Sequence, residues 1–83
     1  MRYITQGMVK PEKFDILVRL AGFKSDSVIE ALRDYLVKGY APSVASDLNG
    51  VQRSNFSRDY KKLNTVAADV ERCKEIDLAV LRD

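Results

Sequence analysis

The chain is expected to be all-α: a small helical domain of four to five helices containing a helix-turn-helix. Apolar residues recur at three- and four-residue intervals through most of its length, the spacing of a helix with one buried face. Prolines and glycines fall at the joints between these runs, where helices start and stop. With 83 residues, 46% hydrophobic and 31% charged, the chain suits one soluble domain, 1–83, which buries roughly 60% of the surface its unfolded form exposes.

Residues 1–10 keep no sustained period and are expected to form an arm, from which Tyr3, Ile4, Met8 and Val9 can fold back over the core. Pro11 suits the first position of a helix, where its missing N–H costs nothing. Phe14, Leu17, Val18 and Ala21 give that helix an apolar face, and Gly22 supplies a stop. Ser25 or Ser27 can cap the second helix, the latter with Glu30 three residues on as in a capping box. Its stripe is Val28, Ile29, Leu32, Leu36 and Val37, with Tyr35 partly covered; Glu30, Arg33 and Asp34 are expected to face water and Gly39 to end the helix. The third helix runs from Pro42 or Ser43 to about Leu48 with Val44, Ala45 and Leu48 inward. Asn49 and Gly50 mark a tight reversal, and Val51 fills the corner. The fourth helix starts near Gln52 or Arg53 and carries Phe56, Tyr60, Leu63, Val66, Ala67 and Val70. The same rhythm continues approximately through Cys73, Ile76, Val80 and Leu81. Those last apolar groups exceed what so small a domain can cover, so residues 71–83 are expected to serve oligomerisation.

Residues 40–63, YAPSVASDLNGVQRSNFSRDYKKL, carry the most directed chemistry. Two helices around a turn cross closely when small residues line the crossing and apolar ones anchor the second helix. Ala45 and Ser46 supply the small positions, Gly50 the turn, Val51 and Phe56 the anchors. The match is irregular: Asn49 either lengthens the turn by one residue or stands where an apolar group is usual. With Phe56, Tyr60 and Leu63 inward, Arg53, Ser54, Asn55, Ser57 and Arg58 are expected to read or closely dock DNA, and Lys61 and Lys62 to neutralise phosphates. Arginine can pair with guanine in bidentate fashion, while lysine contacts to phosphate add affinity without sequence choice. Lys10, Lys13 and Lys24 are candidates for flanking phosphates. The bland alternative for each is a helix cap, a solvated charge or a local ion pair, such as Arg58 with Asp59 or Asp47.

The net charge of +2 is too small to identify a nucleic-acid binder, but its distribution is uneven. Residues 1–24 carry five basic and two acidic groups and residues 41–64 four and two, whereas residues 65–83 carry three and five. The only cysteine, Cys73, rules out an internal disulfide and is expected to be a buried thiol; with no histidine, the common zinc sites are absent. No cofactor is expected. No apolar run approaches the ~20 residues needed to span a bilayer, and there is no secretion signal, leaving the cytoplasm. Enzymatic chemistry lacks its usual parts: there is no histidine, no acid pair across a cleft and no glycine-rich phosphate loop. A protein-interaction module, an adaptor or anti-activator without direct DNA binding, is the alternative to a DNA-binding regulator.

Four segments carry a resemblance: GMVKPEKFDILVRLAG (7–22), SVIEALRDYLVKGY (27–40), NFSRDYKKLN (55–64) and AADV (67–70). Across residues 7–70 the chain resembles the adhesin (fimbrial) biosynthesis transcription regulators of enteric bacteria. The likeness implies a small helical protein that binds double-stranded DNA at promoter-proximal, often AT-rich and repeated sites, self-associates as a dimer or higher oligomer, and regulates a fimbrial or related operon that can be plasmid-borne. It places the DNA-reading helix on residues 53–62. Where the family commonly has Asn-Asn-Gly-Tyr-Phe-Ser, this chain has Gln52, Arg53, Ser54, Asn55, Phe56 and Ser57, keeping only the last two.

Overall fold

The computed structural model describes residues 2–82, the side chain of Arg82 excepted; Met1 and Asp83, the outer ends of the expected arm and oligomerisation segment, lie outside the described residues. The described residues form four helices and no strands: α1 (Pro11–Ala21), α2 (Asp26–Leu36), α3 (Pro42–Leu48) and α4 (Arg53–Arg82). Pro11 begins α1, and Gly22 ends it in a left-handed conformation, its N–H directed to the Arg19 and Val18 carbonyls. Phe23, also bonded to the Val18 carbonyl, folds back half-buried onto the core. Of the two possible caps of α2, Ser25 is the one used, its Oγ accepting from the Val28 N–H at 3.5 Å.

Helix α2 sits in the middle of the fold, and Ala31, Leu32 and Leu36 are fully enclosed among Phe14, Leu17 and Val18 of α1, Ala45 of α3, and Phe56, Leu63 and Ala67 of α4. It ends at Leu36, three residues before Gly39, because other parts of the chain take over its last carbonyls. The Arg33 carbonyl accepts from the N–H groups of Val37 and Lys38, and that of Asp34 from Tyr40 at 2.9 Å. The next two are taken by residues of the N-terminal segment: Tyr35 O by the Gly7 N–H at 3.0 Å and Leu36 O by the Val9 N–H at 3.1 Å. Here the two backbones cross so closely that a Cβ on Gly7 would lie 3.1 Å from Gly39 Cα, and both residues have φ in the left-handed region. A side chain at Gly7 would meet a tight contact as well as backbone strain, and one at Gly39 backbone strain alone.

Residues 2–10 thus form part of the folded body. Ile4 is 1% exposed and Val9 is buried, whereas Tyr3 and Met8 face outward. The segment is fastened to α4 by Asn64, whose Oδ1 accepts from the Tyr3 N–H at 2.7 Å and the Ile4 N–H at 3.3 Å, and by the Tyr60 hydroxyl, which donates to the Ile4 carbonyl at 2.7 Å.

Four expectations are corrected. Asp34 is buried rather than solvated: its carboxylate accepts from Asn49 Nδ2 at 2.9 Å and pairs with Lys38 at 3.2 Å. Arg33 is only partly exposed, held between Asp15 at 3.1 Å and Glu30 at 3.3 Å with its guanidinium 4.9 Å from the centre of the Phe14 ring. Val44 and Leu48 are exposed, because the seven-residue α3 buries only one flank and the small Ala45 and Ser46 occupy it. Cys73 is exposed, because α4 outruns the core: Val70 is half-buried, and every residue from Arg72 to Leu81 is exposed. At 30 residues α4 is about 45 Å long, which accounts for the 49 Å longest dimension against 22 and 21 Å across.

Ile4→Ala should lower stability by about 2–5 kcal/mol, the cost of emptying a filled core position. Urea unfolding of the variant checks this; a change within error would place residues 2–10 outside the cooperative core.

Candidate nucleic-acid interface

The seven residues of α3, the turn at 49–52 and the start of α4 are held by polar contacts within the chain. Ser46, fully buried, satisfies its hydroxyl by donating to the Pro42 and Ser43 carbonyls at 2.9 and 3.1 Å. Its own carbonyl accepts from the Val51 N–H at 2.9 Å, closing the turn, in which Gly50 adopts φ 66°. Asn49, irregular by pattern, is explained by its partners: Nδ2 donates to the Asp34 carboxylate and, at 2.8 Å, to the Ala45 carbonyl. It joins the end of α3 to the end of α2.

The first turns of α4 are seated on α2 by aromatic edges. Tyr35 meets the rings of Phe56 and Tyr60 at centroid distances of 5.7 and 5.8 Å, both nearly perpendicular, the favoured edge-to-face geometry. With Phe56 and Leu63 buried, the opposite side of the helix is turned outward: Arg53, Ser54, Ser57, Arg58, Lys61 and Lys62 are exposed and Asn55 is half-buried. The first turn contains no acidic residue, leaving the positive end of the helix dipole uncompensated.

Two arginines have acidic neighbours: Arg53 lies 3.8 Å from Asp47, and Arg58 lies 3.4 Å from Asp59. Both arginine side chains are more than 70% exposed; the Arg53–Asp47 pair, exposed on both sides, contributes ~0–1 kcal/mol and yields readily to another anion, whereas the Asp59 side chain is mostly buried. Lys62 differs from Lys61, its ammonium resting 5.1 Å from the centre of the Phe23 ring.

Arg53 and Ser57 border a concavity with Pro42, Ser43 and Ser46 of α3; Ser57 and Lys61 border the adjoining one with Arg2, Tyr35 and Tyr60. Arg58 and Asn55 line a third, more polar concavity against Ser25 and Ser27. Lys10 and Lys13 are not brought to this face. They border an apolar groove between α1 and the second half of α4, beside Ile16, Leu20 and Val70. Lys24 is exposed in the connection between α1 and α2, next to Phe23. Arg2 is missing from the residues expected by pattern, and its place beside Lys61 depends on contacts sixty positions away in sequence.

The fold and this face define a class: a small all-helical protein presenting basic and hydroxyl side chains on the leading turns of a long helix, behind a short helix and a tight turn. The chain belongs to the adhesin biosynthesis transcription regulatory protein (PapB) family, whose profile matches residues 1–76. It is 38% identical over 66 residues to the F1845 adhesin operon regulatory protein of Escherichia coli, covering 80% of this chain and 78% of that one. To the AFA-III adhesin operon regulatory protein of the same species it is 35% identical over 69 residues, covering 83% and 68%. Its fold is similar to the crystal structure of E. coli FocB, with a TM-score of 0.83 at 26% identity, over 88% of this chain and 83% of that chain. The family is one of transcription regulators, which is not an enzyme class. No helix among the described residues is long and apolar enough to cross a membrane, and no group of three or more histidine, cysteine or acidic side chains among them could hold a metal ion.

Burial raises the Tyr60 phenol above its ordinary value, with the nearby Tyr35 phenol acting in the same direction and Arg2 opposing them. Below pH about 10 the phenol is neutral in both the folded and unfolded states. As pH rises further the unfolded state ionises first, so stability is lost through the folded value. Tyr60→Phe should cost about 1 kcal/mol at neutral pH, through the lost hydrogen bond, and should flatten the alkaline decline. Chemical denaturation at a series of pH values measures both effects.

Proposed function

We propose that the protein regulates transcription by binding double-stranded DNA through α3, the turn at 49–52 and α4, used as a helix-turn-helix, and that it does so as a dimer or higher oligomer. The observation that carries this reading is the exposed basic and hydroxyl face of the leading turns of α4, fixed from behind by Phe56, Leu63 and the Tyr35 ring. Arg53, Ser54, Asn55, Ser57 and Arg58 read or closely dock the DNA; Lys61 and Lys62 meet phosphates, with Lys24 a flanking phosphate contact. Free amides at the start of α4 favour a phosphate there. The relatives' names direct the regulation to an adhesin operon; the target sites in this reading are promoter-proximal, AT-rich repeats, as the family resemblance implies, and the working compartment is the bacterial cytoplasm.

The tail of α4 supports the oligomer. Ile76, Leu78, Val80 and Leu81 are all more than half exposed, and no other described residue covers them. Residues 71–83 therefore act as the oligomerisation segment.

Binding curves on a labelled AT-rich promoter duplex at two salt concentrations test the DNA reading. Affinity should fall by roughly 0.9 log units per log unit of salt for each phosphate neutralised; absence of binding at low salt would leave the protein-interaction module in its place. Arg53→Ala or Arg58→Ala should reduce discrimination between matched and scrambled sites by about 1–3 kcal/mol, whereas Lys61→Ala lowers affinity for both alike. The oligomer has its own test. Leu78→Glu with Leu81→Glu should shift sedimentation toward the monomer without changing helicity, and an unchanged oligomer would remove the tail from the interface.

A further inference from the structure

Two cations, Arg2 and Lys61, line the concavity beside Ser57, and no carboxylate lines it. Both side chains are exposed, and among the described residues neither has a carboxylate within ion-pair distance. The arginines of the leading turns differ, since Arg53 and Arg58 each have an acidic neighbour. An arrangement of unpaired positive groups around a shared hollow suits an external anion, and a polyanion in particular.

The backbone that carries Arg2 is held in place. Directly after it, the Tyr3 and Ile4 N–H groups both bond to Asn64 Oδ1, the Ile4 carbonyl accepts from the Tyr60 hydroxyl, and the Ile4 side chain is fully buried. Tyr60 and Asn64 lie on α4 one turn apart, immediately beyond the exposed face, so the clamp fixes the start of the segment against the helix that carries Lys61. A charge on such a support gives up less conformational freedom on binding than one on a free chain end.

We infer that Arg2 is a DNA-phosphate contact, delivered to the strand that Lys61 addresses by the clamp of Asn64 and Tyr60. The inference rests on the duplex-binding reading above and extends the interface from α4 to a segment sixty residues away in sequence. Its contribution is electrostatic and indifferent to base sequence, because phosphates position a protein without specifying its site. Asn64 acts as a positioning residue, holding the backbone beside Arg2.

A short mixed-sequence duplex, titrated over a fourfold range of salt, tests this directly. Arg2→Ala should bind more weakly and lose roughly 0.9 from the slope of log affinity against log salt, so that its affinity falls about 3.5-fold less than that of the unmodified protein across the range. Arg2→Lys should restore the slope. Asn64→Ala, assayed where circular dichroism shows it folded, should bind more weakly with the slope unchanged, since the contact still forms from a looser segment. An Arg2→Ala slope equal to that of the unmodified protein, alongside a reduced slope for Lys61→Ala, overturns the inference and leaves the duplex-binding reading standing. Absence of any binding by the unmodified protein at low salt overturns both. Asn64→Ala binding as tightly as the unmodified protein removes the clamp from the account.

Discussion

The buried end of α2 sets the terms for the rest of the structure. The last four carbonyls of a helix have no partner within it, and enclosing them unbonded carries a penalty at each. In this chain Arg33, Asp34, Tyr35 and Leu36 all find donors: two carbonyls through the reversal at 37–40 and two through Gly7 and Val9. That requirement brings the N-terminal segment across Gly39, where glycine is needed on both strands of the crossing, and it explains why α2 stops before the glycine that marks its end in sequence. The same region holds the buried Asp34 carboxylate, whose Asn49 partner draws α3 into place.

The exposed face of α4 follows from that anchoring. Asp34 and Asn49 fix α3, the Ser46 carbonyl fixes the turn, and Tyr35, next to Asp34 in sequence, seats Phe56 and Tyr60. Three consecutive segments are therefore oriented from neighbouring positions near the end of one helix. The basic side chains of this face are turned away from the core: the Arg53–Asp47 pair is solvent-exposed and weak, and Lys61 has no carboxylate within ion-pair distance among the described residues. Stability and recognition are thereby assigned to different sides of the same helix.

Most helix positions were legible because their signals are local: Pro11, Gly22 and Gly50 each act within a few residues of their own position, as do Ser25 and Pro42, which the structure uses in preference to Ser27 and Ser43, and the spacing of Phe56, Tyr60 and Leu63 sets the outward face of α4 by simple rotation. Burial of Asp34 was not legible, because a solvated aspartate and one bonded to an asparagine fifteen residues later look alike in sequence. Val44 and Leu48 were misplaced because a two-turn helix offers too few positions for periodicity to choose its flank. Cys73 kept the apolar rhythm of α4, but rhythm does not reveal where the opposing helices end. Arg2 was invisible for the same kind of reason: its neighbours are supplied by Asn64 and Tyr60, and no short-range pattern links them.

The unbroken course of α4 places a condition on change that a hinged protein would not face. Between Arg53 and Arg82 there is neither proline nor glycine, the helix runs without interruption, and the outermost apolar residues keep a fixed angular bearing relative to the basic ones. One residue inserted midway would swing everything beyond it through about 100° and advance it about 1.5 Å. A bearing close to the original returns only after about seven residues, nearly two turns. The helix works as a threaded shaft, on which separation and orientation cannot be adjusted independently, and length variation compatible with both ends is restricted to discrete steps.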